Sequence, residues 1–135
     1  MRQSLLSAAS AGLLAVLLAA GTALAHHSLA DFDPHDPVTV RGTVTSIRFR
    51  NPHSVIFLDT RDASGKPVKW MFEVYDVANL FHNGVKRGVI KAGDEVTIKA
   101  FRARDGSKHE GAAHEVILAS GRSLVVGPGT IPPER

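Results

Sequence analysis

Two adjacent histidines, His26 and His27, stand directly behind Ala23-Leu24-Ala25 in the stretch TALAHHSLADFDP. A small-x-small tripeptide of this kind marks a cleavage site. A cut after Ala25 would make His26 the first residue of the processed chain. An N-terminal histidine chelates a metal through its α-amine and Nδ1, closing a six-membered ring. A third nitrogen from a distant histidine completes the T-shaped arrangement called a histidine brace. Nitrogen-rich tetragonal sites favour Cu(II), which also sits at the top of the affinity order for divalent ions. The α-amine titrates near ~8 and imidazole near ~6.5, so both give up their protons to a metal readily at neutral pH. His27 lies beside this donor pair. His53 is the expected third ligand, because the proline before it in RNPHS restricts the turn that presents it. Glu73 is suited to orient a ligand imidazole by a hydrogen bond. A cut after Ala23 would leave LAHHS instead. Histidine would then be third, where amine, two backbone amides and imidazole wrap Cu(II) or Ni(II) in a square plane.

These ligands depend on export. Arg2 supplies a positive start, LLAVLLAA (13–20) an apolar stretch, and 23–25 the cut, so residues 1–25 read as a cleaved signal peptide. The apolar run is too short to span a hydrocarbon core of ~30 Å, so no membrane span is expected after cleavage. The chain has no cysteine, which excludes disulfides and a lipid-linked thiol. The expected location is the periplasm. The formal charge is +3, of which the signal carries Arg2 and no acid, so the processed chain has no strong basic field. All seven histidines fall in the processed part, and that is the main compositional clue.

A second set of residues suits a different chemistry. RFRNPH, Lys86-Arg87 and FRARDGSK are basic patches, and Arg48, Arg50, Arg104 and His109 are candidates for an anionic envelope glycan, a lipid head group or a protein partner. Nucleic acid is not the expected partner. Export removes it, and stacking aromatics are few: one tryptophan and one tyrosine, with Trp70 on a core-facing position. No nucleophile elbow, phosphate loop, spaced zinc motif or carboxylate pair is present, so no catalytic residue is assigned and nothing demands an enzyme. A monomer is expected. His35 reads as a loop residue, and His82 as a partner for the carbonyls ending a short helix. His114 shares a strand face with Val116 and Leu118, as a partly buried structural residue.

The elements that must position these groups follow from periodicity. HHSLADFDPHDP (26–37) is polar and turn-rich, with prolines at 34 and 37, and reads as an arm. VTVRGTVTSIRFR (38–50) alternates with period two, and its phase flips near Thr45 and Ser46, which predicts a bulge. HSVIFLDT (53–60) and VKWMFEVY (68–75) are strands joined by the hairpin loop RDASGKP. Asp76 caps a short helix, VANLFHN, ended by Gly84. VTIKAFRA (96–103) and AHEVILA (113–119) are further strands, with a short SLVV after them. The tail 127–135 reads as unstructured. Strand, strand, strand, short helix, strand, strand predicts an all-β fold with one helix: an OB-like five-stranded barrel over 38–126.

The segments HHSLADFD, RGTV, NPH, WMFE and KAGDEV resemble a family of small exported bacterial proteins catalogued as a domain of unknown function (six-one-five-two). Its members similarly start His-His-Ser after processing and carry Phe-Asp, Gly-x-Val, Asn-Pro-His and Trp-x-x-Glu elements. The resemblance covers nearly all of 26–126. It places the family's recurring polar positions on His26, His27, Ser28, Asn51, Pro52, His53, Trp70 and Glu73, so that Asn51 joins Glu73 among the groups expected around the metal. Members commonly carry a Gly-Ser-Pro-like turn and arginines before the fourth strand, where this chain has EVYDVANLFHNG. The resemblance implies export and a small β-barrel, and no established activity.

Overall fold

The computed structural model describes residues 30–129. The expected signal peptide, His26, His27 and the tail from residue 130 on lie outside the described residues.

Alternation builds the first wall. Val38, Val40, Gly42 and Val44 share one face of β1 (Phe32–Arg48), and Val40 and Val44 are buried. The expected phase change is a register shift between Val44 and Ser46 in the ladder to β2 (Ser54–Arg61). The bulge bends β1, so its first half pairs with β4 (Glu95–Ala103) and its second half with β2, both antiparallel. Gly42 sits at the crossover. A Cβ there would lie 2.3 Å from the Asp59 carbonyl oxygen, so any larger residue would push the two strands apart.

The strand begins earlier than its sequence suggests. Residues 32–37, expected as part of an arm, belong to β1, with a register shift between Phe32 and Pro37. Prolines are tolerated because this stretch pairs on one side only: the ladder to β2 starts at Thr43, leaving the other edge without a need for N–H donors.

β3 (Pro67–Val74) pairs with β2 along its whole length and alternates Trp70, Phe72 and Val74 inward. Asp76 accepts a hydrogen bond from the Asn79 N–H at 3.0 Å and caps α1 (Val77–His82), a contribution of about 1 kcal/mol. That helix contributes one fully buried side chain, Leu80. Complete burial of a leucine is worth roughly 1.5–3 kcal/mol, so Leu80 more than repays so short a helix. β5 (Glu110–Leu118) runs beside β4, and β6 (Ser123–Val125) adds a short sixth strand to β5.

The sheet order is β3-β2-β1-β4-β5-β6, and a parallel pairing of β3 with β5 through Met71–Glu110, Phe72–Gly111 and Glu73–Ala112 closes the ring. Five strands closed in this order, with the helix between the third and fourth, make an OB-like barrel. The interior is one cluster, with Ile56, Phe72, Leu80, Ile98 and Val116 among its fully buried members. No helix among the described residues is long and apolar enough to cross a membrane.

Candidate functional site

The turn between β1 and β2 presents His53, and its geometry follows from three contacts. Ser54, fully buried, accepts a hydrogen bond from the Arg50 N–H at 3.1 Å and donates to the Arg50 carbonyl at 3.2 Å. The Arg50 Nε donates to the His53 carbonyl at 3.2 Å. Asn51 Oδ1 accepts from the Val77 N–H at 3.1 Å, tying the turn to the first turn of α1. The Asn51-Pro52 peptide is cis. Asn51 thus holds the turn against the helix, and its side-chain oxygen is engaged there.

His53 is half-buried at the head of β2. Glu73, also half-buried, lies on the neighbouring strand, directly opposite Val55 and beside Ala112 of β5. His53 and Glu73 therefore belong to the same end of adjacent strands. Among the described residues no three histidine, aspartate or glutamate side chains come together as a metal-binding group. His26 and His27 are outside them.

The four residues suited to an anionic partner divide between two places. Arg48 lies over the Phe57 ring, 4.9 Å from its centroid, on the outward side of β2. Phe57 and its cross-strand partner Met71 floor an open groove of about 430 Å³, whose other wall is Ser107–Glu110. His109 stands in that wall and meets Trp70 edge-on at 5.3 Å. His109 thus lines the groove, and Arg48 reaches it only through the Phe57 ring. Arg50 lends only its Nε to the turn, whereas Arg104 is turned to other work. Arg104 donates from Nε to the Phe32 carbonyl at 3.0 Å and from its backbone to the Asp31 carbonyl at 2.8 Å, with Asp33 at 3.9 Å. It fastens the start of β1 to the end of β4.

His114 departs from its expected place. Lys99 pairs with Glu115 and Ala100 with Ala113, so His114 is the extra residue of a bulge and does not share the face of Val116. Its ring rests on Phe101 at 5.2 Å, and burial holds its pKa below the usual imidazole value, with Glu115 opposing and Lys99 assisting the shift.

Period-two reading of β2 holds a signal that was there to be used. In SVIFLDT, Val55 and Phe57 occupy the outward parity, where a barrel strand exposed to water would carry polar groups. The outward phenylalanine is the groove floor. Arg87 likewise lies over Phe49 at 5.0 Å, and Arg102 over Trp70 at 5.3 Å.

The strand order and closure define the class: an OB-like barrel whose outer β2–β3 face is flanked by the first turn and the β4–β5 loop. The chain belongs to a family of unknown function (DUF6152), matched over residues 14–112. No curated protein matches it. Among solved structures it is similar to a mitochondrial single-stranded DNA binding protein from S. cerevisiae, Rim1, with 13% identity and a TM-score of 0.46, over 66% of this chain and 96% of that one.

Proposed function

We propose that the protein is an exported metal-binding barrel. His26, exposed as the N-terminus by cleavage after Ala25, chelates a transition metal, Cu(II) favoured, through its amine and imidazole. His27 and His53 supply the further nitrogens. The observation that supports this reading is the fixed presentation of His53: its turn is tied to α1 and to Ser54, and Glu73 lies on the adjacent strand. A nitrogen donor held in place loses little freedom on coordination, and a nearby carboxylate steadies an imidazole. The role is carriage or buffering of the ion.

The test begins with the intact mass of the exported protein, followed by Cu(II) and Zn(II) titration of that sample. Micromolar or tighter Cu(II) binding is expected, weakened by His53→Ala and by one glycine inserted before His26. No binding in that range, or binding indifferent to the inserted glycine, overturns the brace. Affinity falls as pH drops below about 6, because protons compete for the imidazoles.

The groove beside Arg48 and His109 favours a second reading, a module that binds an envelope glycan, lipid or protein without a metal. It expects Arg48→Ala to weaken partner binding and His26→Ala to leave it unchanged.

A further inference from the structure

The first turn and the helix meet in one contiguous surface. The Asn51 side chain bonds α1, Phe49 packs edge-on to Phe81 at 5.8 Å, and Arg87 lies on the Phe49 ring. Residues 48–54 and 77–91 contain no aspartate or glutamate, yet carry Arg48, Arg50, Lys86 and Arg87, all exposed. The nearest acids are engaged: Asp76 caps α1 and Asp94 pairs with Lys91, while Glu73 lies two strands from Arg48. Among the described residues none of the four cations forms an ion pair.

Their presentation is rigid. Val85 and Ile90 are fully buried, so the segment between them is pinned at both ends, and the Val89 N–H closes a turn onto the Lys86 carbonyl. Arg48 and Arg87 lie over phenylalanine rings, 4.9 and 5.0 Å from their centroids. A guanidinium whose face is covered by a ring keeps its N–H edge for hydrogen bonds to phosphate oxygens. The two rings belong to different sides of β1: Phe57 is on the barrel's outer surface, and Phe49 packs against the core cluster. An extended field of anions can meet both arginines. Phe49, Phe81 and Val89 are half-buried at the same end and add apolar groups beside the cations. The boundary between head groups and acyl chains matches cations set beside half-buried apolar groups.

We propose that this end of the barrel docks on a membrane surface rich in anionic phospholipid, through Arg48, Arg50, Lys86 and Arg87. The proposal names the partner of the non-metal reading and is independent of the metal. Each cation near an anionic surface strengthens partitioning by roughly fivefold, so reversing one arginine weakens it about 25-fold.

The experiment is co-sedimentation of the processed protein, with chelator present, on vesicles of phosphatidylglycerol and phosphatidylcholine and on phosphatidylcholine alone. Binding to the anionic vesicles alone is expected, lost on Arg48→Glu with Arg87→Glu. The doubly reversed control Arg61→Glu with Lys66→Glu, in the hairpin at the far end of β2, should retain it. The fluorescence of the single tryptophan, Trp70, verifies that every variant is folded. Absence of binding to anionic vesicles overturns the proposal, as does equal loss in the control pair, which would mean undirected charge attraction. Retention on an acidic polysaccharide in place of vesicles also overturns it, while leaving the non-metal reading standing.

Discussion

Arginines at the two ends of this barrel lead different lives. At the end formed by β4 and the β4–β5 loop, Arg102 donates to the Lys108 carbonyl and lies 3.6 Å from Asp36, while Arg104 clasps the Phe32 carbonyl near Asp33. At the end formed by the first turn and the helix, Arg48 and Arg87 lie over rings and, among the described residues, form no ion pair. The acids make the difference. The start of β1 delivers Asp33 and Asp36 to one end, whereas at the other Asp76 is spent on capping α1 and Asp94 on Lys91. A cation with a carbonyl and a carboxylate in reach becomes part of the scaffold. One that has neither is left for a partner.

The comparison can be strained from both sides. Removing the rings should separate the ends most. Trp70 is buried under Arg102 and stacked on Phe72, so Trp70→Ala should cost about 3–5 kcal/mol in chemical denaturation. Phe57, half-exposed under Arg48, should cost less than half of that when truncated to alanine. Equal losses would mean that both rings are scaffold. Arg104→Ala should cost about 1–2 kcal/mol through its hydrogen bond to Phe32 and raise amide exchange in residues 32–37. The exchange map distinguishes a local release of β1 from general destabilisation.

A smaller effect lies in pH. The folded pKa of His114 is depressed below 6.5, so the folded state favours neutral imidazole. Its contribution to stability is complete above 6.5 and is lost as pH falls through the folded value. His114→Gln should flatten the stability profile in that window; an unchanged slope assigns the dependence elsewhere. Glu115, lowered first by its bond from Lys99 and then by Ser123, acts at lower pH, losing its contribution as pH falls below 4.5. Smallest of all, Arg87→Ala should change stability by less than about 0.5 kcal/mol, as expected for a surface side chain without an ion pair.

Much of the barrel was legible in the residues. The bulge after Val44 follows from the phase flip between Val44 and Ile47, and the capped helix from Asp76 ahead of VANLFH. Inward Trp70, Phe72 and Val74 follow from strict alternation in β3. The early start of β1 was hidden because two prolines and two aspartates read as turn, and only the tertiary ladder to β4 makes them strand. His114 was misplaced because a bulge in β5 leaves no mark on periodicity this short. The candidate site was legible as a list of residues and not as an arrangement. His53 and Glu73 come to the same end of adjacent strands, and His109 lines the groove whose floor ring, Phe57, lies under Arg48. That Asn51 serves the helix and Arg104 serves β1 depends on partners twenty to seventy positions away.

The closing seam joins β3 to β5 through three residue pairs, each about forty positions apart in the chain. The β1–β4 ladder spans more chain still, from Thr43–Glu95 to Phe32–Ala103, so the seam is the second of two long-range closures that the barrel needs. With the seam open, both strands would expose unpaired edges there. Trp70 sits one residue from that seam. A single chromophore thus stands beside the seam, and its emission reports whether the ring is closed.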